Sequence, residues 1–151
     1  FPHNQACNCC LCRICPRVDQ SDNCNSGPFI ITEDLIIKFN NITNVKKKWD
    51  SEHISPSICN LFISSLNKPD IKLNFGNINF FAGQTIDFIS DVKIGDALTA
   101  STKLLNVYSK TGRSGKMIFV EWNTIFKNQN AELISNIKES FVRIEDFNDS
   151  K

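Results

Sequence analysis

One strongly apolar helical segment precedes a series of long alternating stretches, and this order limits the folds open to the chain. Ser55-Pro56 reads as a helix start, with Ser as cap and Pro at the first helical position. Ile58, Leu61, Phe62, Ser65 and Leu66 then fall at helical spacing. Cys59 and Ile63 widen the apolar face, so this helix is expected to be largely buried, ending near Asn67. After Pro69 the pattern changes to strands. Asn79 to Ile89 carries Phe80, Phe81, Ile86, Phe88 and Ile89, with Gly83 as a bulge or bend. In Ala97 to Ser109, Leu98, Ala100, Thr102 and Leu104 share one face before Leu105 and Val107 continue on the other, a phase switch that predicts a bulge. Met117 to Phe126 alternates strictly, and Ala131 to Ile144 gives a last long strand. A sheet with one apolar face must be covered, and Ile58 to Leu66 is the only strongly apolar helix available. The count therefore predicts an α+β fold in which a long, curved antiparallel sheet wraps one central helix.

The segment before this is different. Residues 1–28 are rich in Cys, Asn, Pro and Ser without a hydrophobic period, and read as a poorly ordered leader. The domain is expected over 29–147, with a polar tail at 148–151. Thr32 can cap a first short helix to about Asn41, whose stripe is Leu35, Ile36, Phe39 and Ile42, with Glu33 and Asp34 at the positive end of its dipole. The stretch Thr43 to Ser55 is polar and contains Lys46 to Lys48, read as a solvated face.

Six of the seven cysteines crowd between Cys7 and Cys24, and only Cys59 lies in the body. A secreted disulfide scaffold spreads its cysteines through the fold, so the body is not expected to depend on disulfides. Cys9, Cys12 and Cys15 have thiolate-ligand spacing, but no second knuckle faces them, and a leader is the preferred reading over a metal site. No metal or cofactor is expected.

A formal net charge of +1 gives neither a nucleic-acid footprint nor a polybasic membrane anchor. No apolar run approaches the roughly 18–20 residues of a membrane span, and residues 1–24 lack the apolar core of a signal peptide. The expected location is cytoplasmic. The chain opens on Phe1 rather than Met, which reads as a fragment or a processed product.

Particular residues add a resemblance. Phe81-Ala82-Gly83-Gln84-Thr85-Ile86-Asp87-Phe88, the later Gly95-Asp96-Ala97-Leu98, the hairpin Lys110-Thr111-Gly112-Arg113-Ser114-Gly115-Lys116-Met117-Ile118-Phe119-Val120, and Asn128-Gln129-Asn130-Ala131-Glu132-Leu133 together resemble the N-terminal domain of MaoC-like dehydratases. This is a hot-dog fold within the enoyl-CoA hydratase and 3-hydroxyacyl-thioester dehydratase superfamily. The resemblance is good from about Asn77 to Val142, weaker over Thr32 to Leu66, and absent before Phe29.

The resemblance implies a lyase component of fatty acid metabolism that binds an acyl-CoA or acyl-carrier thioester. Catalytic relatives place an Asp and a His before the central helix, as a general acid–base pair. The helix N-terminus then stabilises the thioester oxyanion. Here that loop has no Gly-Asp and no Asn-Pro; Asp50 and His53 are close in sequence at a different spacing, and a solvated loop is the preferred reading. The resemblance implies that the half carrying Gly112-Arg113-Ser114-Gly115 shapes the acyl tunnel, while a second half supplies the chemistry. Ser55, Ser57, Arg113, Ser114, Gly115 and Trp122 are the expected substrate-binding residues, although a surface Arg and a core Trp would explain two of them without a ligand. A dimer is expected, with itself or with a catalytic hot-dog half, and neither nucleic acid nor membrane as partner. Two rivals remain: a complete catalytic homodimer using Asp50 and His53, and a non-enzymatic acyl-CoA-binding module.

Overall fold

The structure is a computed structural model that describes residues 23–44 and 53–145. Five strands form one antiparallel sheet: β1 (Asn23–Ile30), β2 (Ile78–Phe88), β3 (Ala97–Gly112), β4 (Gly115–Lys127) and β5 (Leu133–Ile144). Their spatial order is β1-β3-β4-β5-β2, so β1 and β2 are the edges. The sheet curves around a central helix, as the sequence predicts.

β1 is the strand that sequence reasoning missed. Residues 23–26, assigned to the leader, are paired with β3 in the register Asn23↔Lys103 to Ser26↔Ala100, and a bulge at Gly27-Pro28 precedes the pairing of Phe29 with Leu98. Asn, Ser, Gly and Pro are poor strand formers, so the local signal points to a loop; the pairing comes from the free edge of β3. Gly27 has φ +101°, and a Cβ there would lie 2.7 Å from the Leu98 carbonyl oxygen, which keeps the position to glycine.

α1 (Glu33–Thr43) is capped by Thr32, whose Oγ1 accepts the Leu35 N–H at 3.2 Å. It ends on Asn44 in the left-handed region, φ 54°. Ile36 is buried, with Leu35 and Phe39 packed on the core. Ile42, expected on this stripe, is 65% exposed.

The central helix, Pro56–Ser65, winds as a 3₁₀-helix. At about 2.0 Å per residue it spans roughly 20 Å, longer than the same residues would as an α-helix. Three residues per turn stack Pro56, Cys59 and Phe62 on one buried face, with Ile58 beside them. Ser65, expected on the apolar face from an α-helical period, is exposed instead. Phe62 stacks on Phe29 with ring centroids 4.5 Å apart and meets Phe126 at 6.5 Å. Ile31, Ile36, Ile54, Ile58, Val92, Leu98 and Phe126 complete this first core.

A second core lies further along the same sheet face. There Ile71, Leu73 and Phe75 alternate inward from an extended strap and cover Leu104, Ile118, Val120 and Trp122. Arg143 fastens the strap by donating from Nη1 to the Leu73 carbonyl at 2.9 Å. The helix alone does not cover the sheet.

Both expected bulges are present. Register shifts fall between Phe81 and Gly83 on β2, and between Leu104 and Asn106 on β3. The second explains the phase switch: Leu104 pairs with Trp122 on the inner face, and after one extra residue Val107 pairs with Val120 on that same face.

Candidate functional site

The start of the central helix is built by the local sequence. Ile54 forms an isolated bridge with Val92, each donating to the other at 2.9 Å, which anchors the segment beside the sheet. Ser55 then caps the helix. Its Oγ accepts the Ser57 N–H at 3.3 Å and lies 2.9 Å from Ser57 Oγ. Pro56 has no N–H to offer, and the Ile58 N–H already donates to the Ser55 carbonyl at 3.2 Å. Every amide of this first turn that can face a ligand is thus engaged within the turn. His53 sits exposed just before it. Asp50, its proposed catalytic companion, lies outside the described residues, as do Lys46 to Lys48 and the cysteines from Cys7 to Cys15.

The other expected binding residues lie elsewhere. Arg113 and Ser114 are exposed at the tip of the β3–β4 hairpin, where Gly115 adopts φ +88° and Gly112 pairs with Gly115. The central helix packs on Leu98, Phe126 and Ile134, near the opposite end of β4. The length of β4, about 40 Å at strand rise, lies between those two ends. Ser55 and Ser57 are therefore not brought together with Arg113, Ser114 and Gly115. Trp122 occupies the middle of β4, 7% exposed, within the second core.

One feature of the inner face escaped sequence reasoning. Glu139 is 4% exposed on a face otherwise made of Ile137, Phe141 and Trp122, and Lys68 approaches its Oε1 at 3.4 Å. The Lys68 ammonium also lies over the rings of Phe141 at 4.6 Å and Trp122 at 5.6 Å. The signal was available: Glu139 interrupts the alternation of Ile137 and Phe141 on β5. Cys59, buried on the central helix as expected, has its thiol pushed up to about 11 by burial despite the nearby Ser135 hydroxyl. That makes it a packing residue and a poor nucleophile.

The outer face is more polar. A groove of about 370 Å³ crosses it at the two bulges, lined by Gly83, Thr85, Leu105, Glu121, Lys138 and Ser140. Tyr108 stacks on Phe119 at 5.1 Å and donates its hydroxyl to Glu121 Oε1 at 3.4 Å. Partial burial, then the Glu121 charge and that hydrogen bond, push the Tyr108 phenol up. Among the described residues no three His, Cys, Asp or Glu side chains gather as a metal site. Nor is any helix there long and apolar enough to cross a membrane.

A five-stranded antiparallel sheet in this order, wrapped on one buried helix, is a hot-dog fold. The chain belongs to the family described as the FAS1-like dehydratase domain region, whose model matches residues 54–137. Solved structures agree in fold. The MaoC-like dehydratase from Rhodospirillum rubrum superposes with a TM-score of 0.63 at 15% identity, covering 85% of this chain and 94% of the other. The R-hydratase PhaJ1 from Pseudomonas aeruginosa gives 0.57 at 18% identity, covering 83% and 80%. The C-terminally truncated HadBC complex, a 3R-hydroxyacyl-ACP dehydratase from Mycobacterium tuberculosis, gives 0.56 at 16% identity, covering 80% and 94%. No curated protein matches the chain.

Proposed function

We propose that this chain is the acyl-thioester-binding half of an enoyl-thioester hydratase or 3-hydroxyacyl-thioester dehydratase, without catalysis of its own. The observation that carries this reading is the occupied start of the central helix. An oxyanion site there needs backbone N–H groups aimed outward at the developing charge. Pro56 supplies none, and those of Ser57 and Ile58 are engaged by Ser55. The loop before the helix also lacks the Gly-Asp and Asn-Pro of the catalytic pattern.

The partner surface in this reading is the β2 edge. β2 offers an unpaired edge, and Phe80, Phe81 and Phe88 are 50%, 59% and 56% exposed along it, with Ile89 just beyond at 48%. An apolar free edge is a template for further pairing. A second hot-dog half placed there extends the sheet, and that half carries the Asp and His. The HadBC structure, similar in fold, is described as a complex.

Calorimetric titration of the purified chain with crotonyl-CoA tests the binding part. Saturable binding supports the reading, and the absence of heat at millimolar ester refutes it.

A further inference from the structure

We infer that the outer face of the sheet, at its β3–β4 hairpin end, packs against the same face of a second copy of this chain. The two-fold axis runs along the row Phe80, Val142, Phe119 and Tyr108, and sets Lys110 of each copy beside the partner's Glu121. The inference stands apart from the acyl-thioester reading.

An antiparallel sheet with one covered face is ordinarily polar on the other. Toward the central helix the outer face obeys this, with Lys103, Asn123, Lys138 and Thr85 in line. Toward the hairpin it does not. Phe80 pairs with Val142, Val142 with Phe119 and Phe119 with Tyr108, so one row is apolar across four strands. The next row repeats this with Ile78, Ile144 and Met117, and ends on Lys110. These side chains face outward because their strand neighbours Ile118, Val120, Val107 and Phe141 pack in the second core. Phe80 is 50% exposed and the other apolar members are half-buried. Four strands about 4.8 Å apart and two rows about 7 Å apart make roughly 250 Å² of apolar surface in projection. Contiguous patches of a few hundred Å² mark interaction sites on soluble chains.

Charge selects both the occupant and the axis. Lys110 stands over the Tyr108 and Phe119 rings at 5.5 and 5.4 Å and forms no ion pair among the described residues. Glu121, on the opposite side of the Tyr108 row, accepts only the phenol hydroxyl, at 3.4 Å. One cation and one carboxylate therefore edge the patch, and Arg113 lies beyond it at the hairpin tip. A surface with both signs is complementary to itself, whereas a strongly charged partner would meet one of them with like charge. Sheets packed face to face keep their strands within about 30° of one line, which leaves two in-plane axes. An axis along the strands lays Lys110 on the partner's Ile78 and leaves the ammonium unpaired. An axis across the strands exchanges the flanking rows and lays Lys110 over the partner's Asn106, which is the cross-strand neighbour of Glu121. Only this second axis matches the charges.

Sedimentation equilibrium of the full chain over a concentration series tests this. Phe80 borders both the patch and the β2 edge, so Phe88→Lys, which lies outside the patch, serves as the background that suppresses edge pairing. In that background a reversible dimer is expected. Phe119→Thr/Val142→Thr raises its dissociation constant by at least about tenfold; Thr suits a strand, and a thermal melt reports folding. Lys110→Glu and Glu121→Lys each weaken the dimer by about threefold or more, and together they restore it to within about twofold. That restoration requires the two side chains to meet between copies. A monomer at every concentration, a dimer indifferent to Phe119→Thr/Val142→Thr, or a charge swap that fails to restore association overturns the inference. If the Thr pair does not fold, the charge series decides alone.

Discussion

Gln129 donates from Nε2 to Asp96 Oδ1 at 2.9 Å, across 33 residues of sequence. The contact is reciprocal at the level of the turns. Asp96 Oδ2 accepts the Lys93 N–H at 2.8 Å, while Gln129 Oε1 accepts the Ala97 N–H at 3.1 Å. Asn128 holds the second turn closed by accepting the Asn130 and Glu132 amides, each at 3.0 Å. The Gly-Asp and Asn-Gln motifs are thus two halves of one clamp at the end of the sheet. Their role is to fix the β3 start against the β4–β5 turn, which explains why Asp96 is 6% exposed without chemistry to perform.

Replacing Asp96 by Ala should therefore destabilise the fold by about 2–3 kcal/mol, since it strands a backbone donor and the Gln129 amide. Gln129→Ala should cost about 1 kcal/mol. The double variant should cost less than the sum, because the two share a bond. Urea denaturation of the three variants measures all of these.

The Thr102 and Thr124 hydroxyls face each other at 2.9 Å, and both residues are 0% exposed. Thr102→Val alone leaves a buried hydroxyl without its partner and should cost about 1–3 kcal/mol. The Thr102→Val/Thr124→Val pair should return close to wild-type stability. A thermal-melt series in which the double variant is worse than either single would contradict the pairing.

Cys59 should resist alkylation in the folded protein, because burial raises its thiol from 9.0 to about 11. At pH 8 iodoacetamide labelling followed by peptide mapping should find Cys59 modified only after denaturation. The pH sign follows from the same shift. The folded thiol holds its proton more tightly than the unfolded one, so its contribution is whole below pH 9.0 and is lost as pH rises towards about 11.

Phe80→Lys and Phe88→Lys on β2 should change monomer stability by no more than about 0.5 kcal/mol each, since both side chains are half exposed. They should weaken association through that edge, as edge lysines do. Light scattering across a concentration series separates this outcome from one in which β2 plays no part in assembly.

Much of this fold was legible because its signals are periodic. Strict alternation marks β4, the phase switch at Leu104 and Leu105 marks a bulge, and Thr32 and Ser55 mark two helix starts. What escaped has non-local causes. The first half of β1, Asn23 to Ser26, has little strand propensity and pairs because β3 offers it an edge. The strap Ile71-Leu73-Phe75 alternates like a strand yet pairs with none; its side chains are drawn in by the uncovered end of the sheet. The 3₁₀ winding of the central helix is invisible to an α-helical period, which matched Ile58 and Phe62 and misplaced Ser65. For the site, residue types near a motif said little about distance. Ser55 and Arg113 each fit a family pattern, but opposite ends of the sheet hold them apart. Glu139 was readable as an anomaly on β5, though its partner Lys68 was not.

The central claim is that this half binds acyl thioester and leaves the chemistry to another. Loss of enone absorbance from crotonyl-CoA measures it most directly. The account predicts no loss with this chain alone and steady loss once a catalytic hot-dog half is added. Turnover by the chain alone, abolished by His53→Ala, would contradict it.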